Sequence, residues 1–263
     1  MKYNNFLITG AASGLGKCLT NKLLELGKNV IGLDKDNIDV NLYNNRENLK
    51  TILFDLQDYD GINNLFINRK DFEDIECLIN CAGYEAAGFV DEFPINEIVK
   101  NFNVITMAPI VLTKNLFPIL KKNNGCIVNI ISAMATIAVP GRMPYCMSKA
   151  ALQMFSNVIR AEFKYSNVNV LTVYPEVMDT PFWESIVYFG RIKAEEINDP
   201  RNKRNPDTVA REVIKSIANN KTFFWRHSMT NYFAIIYYIF TNLGDQIVDV
   251  ICKIKDTNIV KKG

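Results

Sequence analysis

A tyrosine and a lysine stand four positions apart in the segment Tyr145-Cys146-Met147-Ser148-Lys149. On a helix, side chains at positions i and i+4 lie on one face, so the phenol and the ammonium are neighbours. A phenol with a pKa of about 10 is a poor base, and lowering that pKa to neutrality requires roughly 4 kcal/mol. An ammonium about 4.5 Å away supplies roughly 3.7 kcal/mol at an effective dielectric of about 20. The pair therefore predicts that Lys149, helped by the positive charge of an oxidised nicotinamide, lowers the pKa of Tyr145, and that Tyr145 exchanges protons with a carbinol or carbonyl oxygen.

Ser132 is a third candidate for this chemistry. It directly follows the predicted strand that ends in Val128-Asn129-Ile130-Ile131, and it precedes Tyr145 by thirteen positions. A hydroxyl at the end of a strand can hydrogen-bond a substrate oxygen and stabilise the charge that develops on it. A loop serine without a chemical task is the alternative.

A glycine-rich turn lies near the start of the chain, between an apolar stretch and a helical pattern. Its sequence is Thr9-Gly10-Ala11-Ala12-Ser13-Gly14-Leu15-Gly16. Glycines allow a tight turn and a close approach to a pyrophosphate, while the free N–H groups and the positive end of the helix stabilise the anion. A strand before the turn and a helix after it are the context that such a motif requires, so the turn predicts a nucleotide site.

The spacing of this turn is T-G-x-x-x-G-x-G, and with it the chain resembles the short-chain dehydrogenase/reductase family over about residues 5–180. The resemblance implies one Rossmann domain that carries both the cofactor and the catalytic groups, with NAD or NADP as cofactor. The family's catalytic tetrad falls on Asn103, Ser132, Tyr145 and Lys149. Asn103 matches a helix asparagine that is implied to hold a water linking the lysine to solvent, although the neighbouring Asn101 leaves this assignment open.

Asp34 is the residue expected to select the dinucleotide. It ends the second apolar stretch, 24 positions after Gly10. A carboxylate there can accept hydrogen bonds from the ribose hydroxyls and would repel a 2′-phosphate, which favours NAD. Lys35 can soften that repulsion, so NADP stays open, and a solvated charge at the start of a loop is the alternative. By resemblance, Asp55 contacts the adenine amino group, unless it merely begins a turn.

Two other segments resemble family motifs with one substitution each. Asn80-Cys81-Ala82-Gly83 resembles N-N-A-G with a cysteine in the second position, and Asn80 is expected mainly to brace the sheet. The segment Tyr174-Pro175-Glu176-Val177-Met178-Asp179-Thr180 resembles P-G-x-x-x-T, with Glu176 in place of the glycine. That replacement is expected to alter the backbone near the nicotinamide or to bring a charge to the substrate or a partner. The predicted dinucleotide contacts are Gly10, Ser13, Gly14, Leu15, Gly16, Asp34, Asp55, Leu56, Asn80, Ala82, Gly83, Tyr145, Lys149, Pro175, Val177 and Thr180.

The hydrophobic pattern predicts the scaffold that must position these residues. Short β-branched stretches at 6–9, 30–33, 51–54, 77–80, 126–131 and 168–173 alternate with helical patterns. Continuous apolar runs are typical of parallel strands covered by helices on both faces. A long helix is expected at 96–120, interrupted at Pro109 and Pro118, and another at 143–164. This alternation predicts an α/β fold, a doubly wound parallel sheet of the Rossmann type.

The composition excludes several classes of function. The chain has 263 residues, of which 48% are hydrophobic and 22% charged, as in globular domains. Its net charge of +2 gives no general attraction to nucleic acid. His227 is the only histidine, which excludes multi-histidine zinc sites, and no metal is expected. Six cysteines without a signal sequence predict reduced thiols and a cytoplasmic location.

The C-terminal part is predicted to extend this scaffold. Residues 1–226 are assigned to the Rossmann catalytic domain, with an edge strand at 222–225 and a substrate lid near 180–205. Residues 227–263 are assigned to a helical extension, whose apolar run at 232–240 is shorter than the about 20 residues that span a bilayer. This extension is interpreted as a pocket cover, a subunit interface or a helix in peripheral contact with a membrane. The lid offers an apolar lining, although core packing explains its aromatics equally well: Phe182, Trp183, Tyr188 and Phe189.

These features together predict an NAD(P)-dependent oxidoreductase that interconverts a secondary alcohol and a ketone. Its partner is a small-molecule alcohol or ketone, and the apolar lid favours a lipophilic one such as a steroid, a retinoid or an acyl chain. The family resemblance implies a homodimer or homotetramer. A dinucleotide-sensing regulatory protein, or a membrane-associated binding protein with little turnover, is the competing interpretation. The register of Tyr145 and Lys149 counts against a sensor.

Overall fold

The computed structural model describes residues 1–67, 70–194 and 203–225. The predictions for the extension at 227–263, including His227 and its apolar run, lie outside the described residues. The assignment of residues 1–226 to one catalytic domain stays a prediction, as does the part of the lid at 195–202.

A seven-stranded sheet forms the centre of the fold, and every neighbouring pair of its strands is parallel. The strand order is β3-β2-β1-β4-β6-β7-β9. The chain therefore starts in the middle of the sheet, builds one half outward and returns to build the other, which is the doubly wound Rossmann arrangement. The predicted fold class is confirmed. The strands are β1 (Asn5–Thr9), β2 (Asn29–Asp34), β3 (Leu49–Leu53), β4 (Cys77–Asn80), β6 (Cys126–Ile130), β7 (Asn169–Tyr174) and β9 (Phe223–Trp225).

A second sheet is much smaller and joins two loops near the carboxyl ends of the main strands. It consists of β5 (Ala86–Ala87) and β8 (Val187–Tyr188), which pair in parallel. Its position ties the chain after β4 to the chain after β7.

Helices cover both faces of the main sheet because successive strand residues point to opposite sides. Phe6 and Ile8 of β1 belong to the core on one face, whereas Leu7 belongs to the core on the other. The first face is covered by α1 and α6, and the second by α4 and one side of α5. The helices are α1 (Gly14–Glu25), α2 (Ile62–Phe66), α3 (Ile95–Phe102), α4 (Ala108–Lys122), α5 (Met143–Glu162) and α6 (Pro206–Ala218).

The long helix expected at 96–120 is interrupted just before Pro109, whereas Pro118 lies inside a continuous helix. A π-helical turn at Asn103–Met107 separates α3 from α4. Pro109, two positions after this turn, has no N–H to donate to the carbonyl oxygen of Ile105 within it. Pro118 is accommodated inside α4. The interruption therefore comes from the wider turn, a feature that often marks a functional segment of a helix.

The helical stretch Ile95–Lys122 is long and apolar enough, by length and composition alone, to cross a membrane. Its residues Leu112, Leu116 and Leu120 are nevertheless fully buried in the core on the second face of the sheet. These residues are therefore buried in the way expected for a helix that packs on the core of the fold.

Candidate active site

A cleft of about 1270 Å³ runs along the carboxyl ends of the main strands. In an open α/β sheet, the point where the strand order reverses is where ligands bind, and here that point lies between β1 and β4. Of the predicted site residues, Asn80 and Asn103 do not line the cleft. Those that do line it are Gly10, Ser13, Gly14, Leu15, Gly16, Asp34, Asp55, Leu56, Ala82, Gly83, Ser132, Tyr145, Lys149, Pro175, Val177 and Thr180.

Two glycines of the turn, Gly10 and Gly16, are packed so tightly that a side chain would not fit at either position. Gly10 has φ +71°, and a Cβ atom built on it would lie 2.8 Å from the Cα of Ala82. A Cβ atom on Gly16 would overlap the carbonyl oxygen of Gly10. The Oγ1 of Thr9 accepts hydrogen bonds from the backbone N–H groups of Cys81, at 3.0 Å, and Ala82, at 3.1 Å. The turn and the segment after β4 thus form one rigid floor of the cleft.

The N-terminus of α1 faces this cleft without a cap. Ser13 occupies the N-cap position, but its side chain makes no capping hydrogen bond, and the first turn carries no acidic residue. The first N–H groups of a helix have no intrahelical acceptor, and they carry the positive end of the helix dipole. These features fit a pyrophosphate, because its oxygens are acceptors with negative charge.

Asp34 lies at the end of β2 and holds the glycine turn. Its Oδ2 accepts a 2.8 Å hydrogen bond from the backbone of Ala12, and its Oδ1 accepts one of 3.0 Å from the backbone of Asp36. A carboxylate has room for about four hydrogen bonds, so two acceptor positions remain for ribose hydroxyls. The carboxylate is therefore fixed in place rather than solvated at the start of a loop.

Asp55 and Asn103 both contact Gln57. The Oδ1 of Asp55 accepts a 2.9 Å hydrogen bond from the Gln57 N–H, and the Asn103 Nδ2 donates one of 3.3 Å to the Gln57 carbonyl oxygen. The Asn103 side chain therefore braces the loop after β3, and it stands at the start of the π-helical turn. Asn101 is fully buried and donates to the Tyr84 carbonyl oxygen at 3.0 Å.

Asn80 lies behind the cleft in a buried chain of polar groups. Its Nδ2 donates a 2.7 Å hydrogen bond to the Oδ1 of Asn129, whose own Nδ2 donates one of 2.8 Å to the Oγ of Ser156. The chain joins β4, β6 and α5, and it supports the expectation that Asn80 braces the sheet. Its position does not support a direct contact between Asn80 and a dinucleotide.

Tyr145, Lys149 and Ser132 meet at the far end of the cleft. Tyr145 and Lys149 occupy successive turns of α5, and the Nζ of Lys149 lies 5.7 Å from the centre of the Tyr145 ring. The Lys149 Nζ donates a 2.7 Å hydrogen bond to the Ile130 carbonyl oxygen at the end of β6. The Ser132 hydroxyl is close enough to the Tyr145 phenol to oppose the rise in its pKa, and it accepts a 3.2 Å hydrogen bond from the Met134 N–H. The three residues, which are separated in the sequence, therefore lie together in the fold.

Burial shifts the pKa values of Tyr145 and Lys149 in directions that helical spacing alone does not predict. Desolvation raises the pKa of Tyr145 above its ordinary value, and the nearby Glu85 carboxylate raises it further, while the hydrogen bond with Ser132 opposes the shift. Desolvation also lowers the pKa of Lys149 to about 8. The phenol is therefore protonated at neutral pH and can serve as a proton donor. The lowering of the Tyr145 pKa by Lys149 together with the positive nicotinamide of the oxidised cofactor stays a prediction, because without the cofactor burial of the phenol dominates the shift.

Glu85 and Arg142 were not predicted from the sequence. Glu85 lines the cleft with 1% of its side chain exposed, and its Oε1 forms an ion pair with the Arg142 guanidinium. The available signal was a single charge in the otherwise uncharged run Ala82 to Val90. Arg142 stands three positions before Tyr145, so both ends of the pair are attached to segments that form the site.

Glu176 also pairs with an arginine that comes from farther along the chain. It lies 3.4 Å from the Arg204 Nε, and Arg204 pairs in turn with Glu212 of α6 at 3.0 Å. Glu176 is not among the residues with positive φ, so its backbone has no need of the glycine expected there. The ion pairs instead join the segment after β7 to α6.

Two of the four lid aromatics line the cleft. Phe182 and Trp183 face it, and the Phe182 ring lies 5.9 Å from the Tyr145 ring, edge to face. Tyr188 and Phe189 do not line it, and Phe189 packs instead against Phe93, at 5.4 Å between ring centres. For these last two residues, the core-packing alternative is the one observed, because β8 is fixed to β5.

Comparisons with known proteins agree with this geometry. A family model described as short chain dehydrogenase matches residues 4–188. A 3-amino-tetrahydro-pyrrolizinone reductase from Xenorhabdus hominickii is 28% identical over 207 residues, which cover 77% of this chain and 71% of that protein.

Two solved structures extend the comparison to three dimensions. A short-chain dehydrogenase from Streptomyces avermitilis superposes with a TM-score of 0.80 at 20% identity, covering 95% of this chain and 98% of its own. At that identity the likeness shows the fold alone. A 4-hydroxyisoleucine dehydrogenase complexed with NADH superposes with a TM-score of 0.70 at 26% identity, covering 84% of this chain and 95% of its own.

Proposed function

The chain belongs to the short-chain dehydrogenase family, and from that premise we propose that it interconverts a secondary alcohol and a ketone with NAD(P) as cofactor. It is an NAD(P)-binding oxidoreductase, as its relatives with reductase and dehydrogenase activity are. The proposed reaction is supported by one observation: Tyr145, Ser132 and Lys149 lie together in the cleft that also holds the glycine turn and the uncapped N-terminus of α1.

The tight glycine turn and the free N-terminus of α1 fit the pyrophosphate of the dinucleotide. The proposed contacts with the other parts of the dinucleotide are those predicted from the sequence. Asn80 is the exception, because it is proposed to act by bracing the sheet. When bound, the dinucleotide supplies or accepts the hydride. In the direction of reduction, the protonated Tyr145 hydroxyl donates its proton to the carbonyl oxygen of the substrate. The Ser132 hydroxyl holds the same oxygen and stabilises the charge on it.

Lys149 acts on Tyr145 from the neighbouring turn of α5. Its ammonium offsets part of the negative charge that the phenol acquires when it gives up the proton. The hydrogen bond to Ile130 holds this ammonium in place, so no reorganisation is needed during proton transfer. Asn103 is proposed to support the lysine through the backbone of the π-helical turn rather than through its side chain, which is bonded to Gln57.

NAD is the proposed cofactor in preference to NADP. Support comes from the fixed carboxylate of Asp34, because a 2′-phosphate placed next to it would meet like charge. Lys35 also lines the cleft and can offset part of this repulsion, so NADP is the second cofactor to be tested.

The proposed substrate is lipophilic over most of its surface. The cleft near Tyr145 is lined by apolar residues from two loops, namely Ile137, Ala138, Val139, Phe182, Trp183 and Val187. A homodimer or homotetramer in the cytoplasm is proposed, and residues 227–263 are proposed to cover the pocket, to join subunits or to contact a membrane peripherally.

Deuterium transfer tests the proposed reaction. The protein is incubated with a panel of ketones and with NADH or NADPH that carries deuterium at the transferable position. We expect the label to appear on the carbinol carbon of an alcohol product, measured by mass spectrometry, with the higher rate for NADH. If no ketone of the panel acquires the label while the protein binds NADH, the proposed reaction is wrong.

A further inference from the structure

The carboxylate of Glu85 is a charged group in the substrate part of the cleft that proton transfer does not use. We propose that Glu85 binds a cationic amine of the substrate, carried close to the reacting carbon, so that the substrate is an amino ketone or the matching amino alcohol. This inference rests on the proposed function and names the substrate class of the same site.

The position of Glu85 places it next to the reacting groups. A Cβ atom built on Gly83 would lie 3.7 Å from the Lys149 Nζ, so the segment that leads to Glu85 starts beside that ammonium. Glu85 and Tyr145 line the same cleft, and the Arg142 that pairs with Glu85 stands three positions before Tyr145. An amine bound there therefore lies within a short span of an oxygen held by Tyr145.

The backbone around Glu85 is fixed from two sides. Its carbonyl oxygen accepts a 3.0 Å hydrogen bond from the Val187 N–H in the loop after β7. On the other side, the Gly88 N–H donates a 2.9 Å hydrogen bond to the Gly141 carbonyl oxygen, directly before Arg142. A carboxylate held in this way is positioned before any ligand binds, which reduces the entropy lost on binding.

Arg142 occupies one oxygen of Glu85 and leaves the other. The guanidinium contacts Oε1, whereas Oε2 has no hydrogen-bond partner among the described residues. Arg142 itself does not line the cleft, so it pairs with Glu85 from outside the cleft. A carboxylate accepts several hydrogen bonds, and the second oxygen remains for a donor inside the cleft.

The energetics of a buried ion pair favour a ligand role over a purely structural one. Removing two charges from water costs about as much as their attraction returns, so apolar residues of the same size are often equally stabilising. The apolar lining of this part of the cleft strengthens the attraction between a carboxylate and an ammonium, because little water screens it. A charge-assisted hydrogen bond also favours an ammonium over a hydroxyl group.

A binding experiment tests the proposal without requiring turnover. Three ligands are compared by calorimetry on the full chain with NAD present: a long-chain alcohol with an amine on the carbon next to the carbinol, and two analogues in which methyl or hydroxyl replaces the amine. We expect the amine to bind about tenfold to 100-fold more tightly than either analogue. Equal affinities for the amine and an analogue would overturn the proposal, whatever the outcome of the deuterium experiment.

Two variants locate the effect at Glu85. Glu85→Gln keeps the shape and removes the charge, so the preference for the amine should fall to about twofold or less. Glu176→Gln, which removes another carboxylate that lines the cleft, should keep the preference. If Glu85→Gln does not fold, the pair is replaced as Glu85→Leu with Arg142→Leu, and the same loss of preference is expected. Retention of the preference in whichever Glu85 variant folds would contradict the proposal.

Discussion

The Nζ of Lys149 donates a 2.7 Å hydrogen bond to the carbonyl oxygen of Ile130, two residues before Ser132. This bond joins α5, which carries Tyr145, to the strand end that carries Ser132. It also satisfies a lysine whose side chain is almost completely buried, with 3% of the residue exposed. The position of the ammonium is therefore set by the sheet as well as by the helix.

The burial of Lys149 makes stability depend on pH. Its pKa is lowered from 10.5 to about 8 in the folded protein, so between these values the unfolded chain holds a proton that the folded chain has lost. Stability therefore rises with pH across that window, by up to about 3 kcal/mol for this group. We expect the unfolding free energy of the wild type, relative to Lys149→Met, to increase from pH 8 to pH 10.5 in urea titrations. A difference that stays flat over this window would contradict the account of burial.

The choice of cofactor depends on Asp34. Asp34→Ser removes the carboxylate that would repel a 2′-phosphate, so the ratio of kcat/KM for NADPH to that for NADH should rise by about tenfold or more. Asp36→Ser removes a neighbouring charge of the cleft and serves as the matched control, with a smaller change. An unchanged ratio in Asp34→Ser would show that Asp34 does not select the cofactor.

Two alanine substitutions, one in the glycine turn and one outside it, test how tightly the turn is packed. Gly16→Ala places a Cβ atom against the Gly10 carbonyl oxygen, so it should lower the unfolding free energy by about 3 kcal/mol or more. Gly27→Ala has no atom within 4 Å of the new Cβ, and only its φ of +67° is unfavourable. That strain costs about 1 kcal/mol, so thermal unfolding should separate the two variants clearly. Equal losses would mean that the packing of the turn is not as tight as described.

The buried chain of polar groups should contribute to stability through Asn129. Ser156→Ala removes the acceptor of the Asn129 amide, and an unsatisfied buried donor costs about 1–3 kcal/mol. Ser185→Ala, at an exposed position, is the control and should change stability by less than about 0.5 kcal/mol. Denaturant titration measures both, and a loss for Ser156→Ala no larger than the control would show that the chain is not stabilising.

The main strands and the cluster of Tyr145, Lys149 and Ser132 follow from the sequence because local features encode them. Each predicted strand is a short run rich in apolar and β-branched residues, and its observed bounds differ from the prediction by no more than two residues, as for β3 at Leu49–Leu53. The pair Tyr145 and Lys149 depends only on helical spacing, and the glycine turn only on the strand and helix beside it. These features need no knowledge of distant contacts.

Features that depend on distant contacts could not be read from the sequence. Glu85 and Arg142 are separated by 57 positions, and the loops that join them are fixed by β5 and β8. The hydrogen bond from Asn103 to Gln57 likewise spans 46 positions. The upward shift in the Tyr145 pKa also depends on distant contacts, because desolvation depends on all the groups that surround the phenol. Helical spacing gives only the distance of the phenol from one charge.

The most direct test of the central claim compares the wild type with Tyr145→Phe, which keeps the ring and removes the proton donor. The binding of NADH, followed by its fluorescence, should be unchanged, while kcat for reduction of a ketone should fall by about 100-fold to 10,000-fold. That combination would show that the Tyr145 hydroxyl transfers the proton. Turnover by Tyr145→Phe at the rate of the wild type would contradict the account.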